Sequence, residues 1–196
     1  MKTKGEQTKR FIIESAAPIF NKKGIAGTSM NDIMHATKLA KGSLYNHFES
    51  KEVLVNAAVD HNIDALKEMI YKSLARYKSN YEKLTAYVDT FRAPVNTHFD
   101  GGCPMMNFGS ESDDTNPVVK HKVNQCVNYI QKIISELIQK GIREKEFQPA
   151  WNHQEFATIA FAMIEGGIMT CKLAGNNDKM QVINTYLKKI INENTL

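Results

Sequence analysis

The tract Lys41-Gly42-Ser43-Leu44-Tyr45-Asn46-His47-Phe48 gathers side chains suited to recognition rather than to bond cleavage. A lysine reaches guanine acceptors, a serine hydroxyl serves either kind of partner, and a side-chain amide matches adenine. Glycine adds the possibility of close backbone approach. Lys41, Gly42 and Ser43 are therefore candidate base readers. Tyr45 and His47 carry polar tips that suit phosphate oxygens, and Asn46 suits either a phosphate or a base. Each has a plainer alternative: Lys41 as a solvated charge, Gly42 as a turn residue, Tyr45 or His47 as a ring beside the apolar pair Leu44 and Phe48. Lys51 opens a long helical pattern, where a cation opposes the positive end of the helix dipole. A phosphate at that terminus would compensate it, the alternative being a solvated charge. Thr28, at the mouth of another helix, either binds phosphate in the same way or only neighbours the cap.

Other chemistries find little footing. There is no GxSxG elbow, P-loop, HExxH or GxGxxG, and Ser, His and Asp are scattered without a triad-like spacing. Cys103, Cys126 and Cys171 are odd in number and widely spaced, with no CxxC pair. That argues against a disulfide framework or a structural zinc site, so no metal and no cofactor are expected, and a reducing cytoplasm is the expected location. A small all-helical enzyme using Cys103 or a carboxylate–histidine pair stays as an alternative without a motif behind it.

A polyanionic partner also fits the charge distribution. The chain has 196 residues and a net charge of +4. Residues 1 to 51 hold nine Lys or Arg against four acids, and the remaining 145 hold sixteen against seventeen, so all of the excess lies in the first quarter. At 42% hydrophobic and 23% charged, this is the composition of an ordinary folded protein of one domain or two small ones. The opening MKTKGEQTKR-FIIESAAPIF is not read as a signal peptide, because Glu14 and Pro18 interrupt its apolar run. The apolar stretch Phe156 to Leu173 carries Glu165 mid-span and is read as a buried helix rather than a membrane span.

The elements that position these residues are helical throughout. Apolar spacing predicts a helix from about Thr8 to Lys23, with Ile13, Ala16, Ala17 and Phe20 on one face, bent at Pro18 and stopped by Gly24. Lys2, Lys4, Lys9 and Arg10 then read as a mobile basic arm. Ser29 followed by Asp32 has the form of a capping box and starts a short helix to Thr37, with Ile33 and Ala36 inward. A shorter helix, Lys41 to Phe48, follows a three-residue turn, which is the outline of a helix-turn-helix unit. Further helices are expected over about 51–78, 81–98 with a bend at Pro94, 104–111, 117–140, 153–173 and 178–191. The fold class is all-α.

Ile12-Ile13 through Ala16 and Phe20, Gly24, Gly27-Thr28-Ser29-Met30, Asp32-Ile33 and KGSLYNHFESKEVL from Lys41 to Leu54 together resemble the TetR family of transcriptional repressors. The resemblance implies an N-terminal helix-turn-helix DNA-binding domain, 1–50, joined by a long helix to an all-helical regulatory domain, 51–196. It implies a homodimer that binds double-stranded, near-palindromic operator DNA and is released by a small-molecule inducer, with no membrane involved. One reading unit contacts too few bases alone, so two-fold symmetry is expected independently. Candidate inducer contacts are the polar or soft side chains His98, Cys103, Met105, Met106, Asn107, Glu111, Trp151, Met163 and Glu165 on otherwise apolar helices. Candidate dimer contacts are Gly166 and Gly167, which permit close helix approach, with Phe161, Ile164 and Ile168; the alternative is an ordinary intramolecular contact. A regulator that senses oxidants or electrophiles through Cys103 is a further alternative.

Overall fold

Hydroxyl side chains set where several of the helices begin. In the computed structural model, which describes residues 3–96, 99 and 101–196, α1 (Lys4–Lys23) starts at a capping box in which Thr3 and Glu6 satisfy each other's amides. The Ser29–Asp32 box starts α2 (Met30–Thr37) at the residue expected from the sequence. After α3 (Lys41–His47), Ser50 accepts from the Val53 amide at 3.2 Å and begins α4 (Lys51–Leu74). Ser79 and Glu82 form the box of α5 (Asn80–Thr90), followed by a 3-10 turn at Pro94–Asn96. Then come α6 (Pro104–Ser112), α7 (Pro117–Arg143), α8 (His153–Ala174) and α9 (Asp178–Glu193). Among the described residues the only β-type pairing is an isolated bridge between Phe147 and Thr195, so the fold is all-α.

The chain separates into two compact units, Met1–Ala65 with His98–Asn124, and Leu66–Thr97 with Gln125–Leu196. Packing thus groups α6 and the first turns of α7 with the N-terminal helices, a grouping that the division at residue 50 does not include. The first unit is built on Ile12, Ala16 and Phe20 of α1, Ile33 of α2, Leu44 and Phe48 around α3, and Leu54 and Ala58 of α4, all essentially inaccessible. Each large side chain among them contributes about 1.5–3 kcal/mol by leaving water. Buried Asn62 of α4 donates to the Ala17 carbonyl at 3.0 Å and fixes α1 against that helix. In the second unit α8 packs on α9, and Trp151 stacks edge-on between Phe147 and Phe156 with both centroids 5.0 Å away.

Several expectations are corrected. Lys4, Lys9 and Arg10 are not a mobile arm: all three lie in α1, which the Thr3–Glu6 box starts four residues earlier than the apolar pattern suggests. Arg10 pairs with Glu14 at 2.6 Å, and the Lys9 ammonium lies 5.4 Å from the Phe48 ring centroid. Of the pair Ile12 and Ile13, Ile12 is the one that joins Ala16, Ala17 and Phe20 in the buried face of α1, and Ala36 is exposed while Thr37 is buried. The helix expected over 81–98 ends at Thr90, because Pro94 lacks an amide proton and disfavours helical backbone at the residue before it. By length and composition α8 would also pass as a membrane span; eight of its residues, Glu165 included, are buried within the chain.

Candidate nucleic-acid interface

The bend that presents α3 is built from α2's last turn. Thr37 donates to the Ile33 carbonyl at 2.8 Å and accepts from the Leu39 amide at 3.4 Å, and Lys38 takes up left-handed backbone with φ 58°. That conformation turns the chain sharply within three residues, so α3 begins at Lys41 with no side-chain cap on its first amides. Leu44 and Phe48, four apart, bury the inner face of α3 completely. Lys41, Gly42, Tyr45 and Asn46 are left exposed, with Ser43 and His47 half-buried beside them. Lys41 rests over the Tyr45 ring, its ammonium 5.9 Å from the centroid, so the two long side chains share one side of the helix.

Gly42 is informative because nothing in the chain demands it. Its φ is not positive, and a Cβ there would meet no atom within 4 Å. A glycine in a helix costs about 0.5–1 kcal/mol relative to alanine. A side chain at this position would therefore point into open space rather than against the chain itself. Lys51, in the first turn of α4, is half-buried and follows Ser50, whose side chain already caps that helix.

Thr28 is placed differently from its expected role. It is 1% exposed, and its hydroxyl donates to the Gly24 carbonyl at 2.7 Å. Its side chain locks the turn between α1 and α2 instead of facing a partner. The start of α2 is fixed further by Asp32, which pairs with Lys23 at 2.7 Å and accepts from both the hydroxyl and the amide of Ser29. The Lys23 hydrogen bond first, and the Ser29 bonds after it, hold the Asp32 carboxyl well below the usual carboxylate range.

The expected inducer contacts divide between the two units. Cys103, Met106, Asn107 and Glu111 belong to the first unit, and Trp151, Met163 and Glu165 to the second; His98 lies outside the described residues. Two are committed elsewhere. Asn107 donates to the Asn21 carbonyl at 2.9 Å and the Gly101 carbonyl at 3.2 Å, and the Glu111 carboxylate accepts from the Ile25 and Ala26 amides, both at 2.7 Å. Trp151, 8% exposed within its aromatic stack, is a core residue, and all three cysteines are buried thiols. Burial of Cys103 disfavours the exposed, electropositive setting that a sensing thiol needs.

Three of the five expected dimer residues, Ile164, Gly167 and Ile168, are buried within the chain itself. Ile164 and Ile168 are buried, and a Cβ on Gly167 would lie 2.7 Å from both Ile183 and Met180 of α9. The close approach at Gly167 is therefore made by the chain's own α9. Gly166 faces open space and Phe161 is half-buried. Gly166 belongs to an outer stripe whose other members, Ile159, Ala162, Met169 and Leu173, the sequence reading did not single out; the five are spaced three and four apart, with Leu173 82% exposed. Val182 and Tyr186, four apart on α9, are exposed as well.

A short helix with a buried apolar face, turned outward after a tight bend and carrying Lys, Ser, Tyr, Asn and His on its open side, defines a helix-turn-helix nucleic-acid-binding protein. Comparisons with known proteins agree. Residues 12–58 match the family described as bacterial regulatory proteins, tetR family, and residues 81–187 match the tetracyclin repressor-like C-terminal domain. The chain belongs to the TetR family of transcriptional regulators. The crystal structure of a TetR transcriptional regulator from Chloroflexus aurantiacus J-10-FL is 34% identical and superposes with a TM-score of 0.94, covering 98% of each chain. A TetR-family regulator from Cytophaga hutchinsonii is 32% identical with a TM-score of 0.92, covering 100% of this chain and 98% of that one. The HTH-type transcriptional repressor DhaR of Mycobacterium sp. (strain GP1) is 26% identical over 176 residues, 88% of this chain and 86% of the relative. The protein is thus a DNA-binding transcriptional regulator and not an enzyme.

Proposed function

We propose that this regulator is a homodimeric cytoplasmic repressor that binds a near-palindromic operator through α3 and is released by a small-molecule inducer. Residues 1–50 form the reading head, and 51–196 the regulatory and dimerisation region. Lys41, Gly42 and Ser43 meet base edges, Tyr45 and His47 hold phosphates, Asn46 meets either, and Lys51 binds phosphate at the start of α4. The observation that carries this reading is the division of α3 into a fully buried apolar face and an exposed polar face that includes a glycine with no internal cause. Repression draws its support from relatives such as the DhaR repressor.

Dimerisation is assigned to the outer stripe of α8 with Val182 and Tyr186 of α9. Exposed apolar side chains at alternating spacings of three and four match the seam by which one helix packs on another. Inducer contacts are assigned to Cys103 and Met106 near and in α6 and, separately, to Met163 and Glu165 of α8. To empty a nearly saturated operator, an inducer must favour the non-binding conformation by about 5.5 kcal/mol.

The test is selection of random duplexes on the purified protein, followed by titration of the enriched site at several salt concentrations with Ser43→Ala and Lys51→Ala. An enriched two-fold site, relaxed at one position by Ser43→Ala and weakened uniformly by Lys51→Ala, supports the reading. Binding that is weak, unselective and driven only by salt overturns it.

A further inference from the structure

We propose that Glu111 is a positioning residue for operator recognition: its carboxylate clamps the turn between α1 and α2 and so sets the attitude of the reading helices. The inference rests on the operator-binding reading above and goes beyond it, because Glu111 has no place among the DNA-contacting residues.

The clamp is two-pronged. Oε2 accepts from the Ile25 amide and Oε1 from the Ala26 amide, each at 2.7 Å, the short distance typical of an ionised acceptor. Both amides lie in the connection between α1 and α2, where no helical partner is available to them. Gly24 precedes them with φ +79°, and a Cβ on it would come within 2.9 Å of Glu111 Oε2, so the turn leaves just enough room for the carboxylate. Thr28 closes the same turn from inside through the Gly24 carbonyl, and Ser29 then starts α2. The path from α1 to the reading helices is held at both ends of a five-residue segment.

Glu111 is itself fixed by the rest of its helix. The buried side chain of Asn21, in α1's last turn, donates to the Gly102 carbonyl at 3.0 Å, and Asn107 of α6 donates to Asn21's carbonyl and side-chain oxygens. Gly101, at φ +99°, brings its loop so close that a Cβ would lie 2.8 Å from the Asn21 carbonyl oxygen and the Lys22 Cα. The segment from Gly101 to Glu111 therefore grips the end of α1 through backbone groups and directed polar bonds, which fix orientation in a way that apolar contact does not. This segment falls within the residues matched to the family's C-terminal domain, 81–187, yet packs in one compact unit with the head. Any displacement of α6 reaches the α1–α2 turn through Glu111.

The test uses the full chain and an operator duplex selected on the wild-type protein, compared with a random duplex of the same length. Glu111→Ala removes both acceptors, and Glu111→Gln, nearly isosteric, retains one. Operator affinity is expected to fall about tenfold or more for Glu111→Ala, the equivalent of one weakened base contact, and less for Glu111→Gln. Random-duplex affinity should change by no more than a factor of about two, because the phosphate-binding cations are untouched. Amide exchange at Ile25 and Ala26 should accelerate in both variants, and thermal melting identifies a variant that fails to fold, in which case Glu111→Gln carries the comparison. Unchanged operator affinity with accelerated exchange overturns the inference, as does an equal loss on operator and random duplex. A wild-type protein with no preferred duplex overturns both this inference and the function on which it rests.

Discussion

Replacing Met169 with aspartate should split the proposed dimer while leaving each chain folded. Met169 lies on the outer stripe of α8, three residues from Gly166 and four from Leu173, and is 46% exposed in the single chain. Fully burying a methionine is worth about 1.5–3 kcal/mol, so the exposed portion would contribute about 1 kcal/mol on association. Two-fold symmetry counts it twice, giving about 2 kcal/mol, or roughly a 30-fold rise in the dimer dissociation constant. This is a floor, because each new carboxylate must also shed water against an apolar surface. Sedimentation over a concentration series reads the constant directly. Met169→Leu, which keeps the apolar contact, should remain dimeric, and so should Tyr71→Asp on α4, although Tyr71 is 70% exposed. A dimer unaffected by Met169→Asp but dissociated by Tyr71→Asp would refute the assignment of the face.

Three further outcomes are expected. Thr28→Val removes the bond to the Gly24 carbonyl and should lower stability by about 1 kcal/mol in denaturant titration, leaving the salt dependence of DNA binding unchanged; a reduced salt slope would restore Thr28 as a phosphate contact. Because the Asp32 carboxyl titrates lower in the folded protein than in the unfolded chain, its stabilisation is present above about pH 4 and lost as pH falls toward the folded value. Asp32→Asn should therefore be less stable at neutral pH and flatter in its acid dependence, and a melting profile parallel to wild type below pH 4 would contradict this. Gly141→Ala should destabilise the chain despite better helix propensity, since the added Cβ would lie 2.2 Å from the buried Phe147 ring. Overpacking costs about 1–3 kcal/mol against a gain of up to about 1, so a raised melting temperature would show that Phe147 can move away.

The reading helices were legible because their signals are local. Ser29 and Asp32 cap α2 through atoms three residues apart, and Leu44 and Phe48 declare the inner face of α3 by spacing alone. The start of α1 was equally local in Thr3 and Glu6, but an apolar pattern that begins later hid it. The faces of α8 were not legible in the same way. That helix is apolar nearly all round, so periodicity does not tell which side meets α9 and which is left open; Gly166 and Gly167, adjacent in sequence, face different surroundings. Glu111 was singled out as an inducer contact, and its bonds to the α1–α2 turn were beyond sequence reasoning for another reason. Its partners, Ile25 and Ala26, are backbone amides 86 and 85 residues away, and a carboxylate's demand for donors leaves no mark on which donors it finds.

Joint reading of two half-sites by two copies of α3, held by a dimer, lies at the centre of the proposed function. It is tested most directly with duplexes in which the selected half-sites are moved apart one base pair at a time, their affinities measured beside that of a single half-site. A sharp maximum is expected near one helical turn, about 34–36 Å between half-site centres, with a fall of about two orders of magnitude or more when about five base pairs place the sites on opposite faces of the duplex. Affinity that is indifferent to spacing and equal to that of one half-site would contradict it.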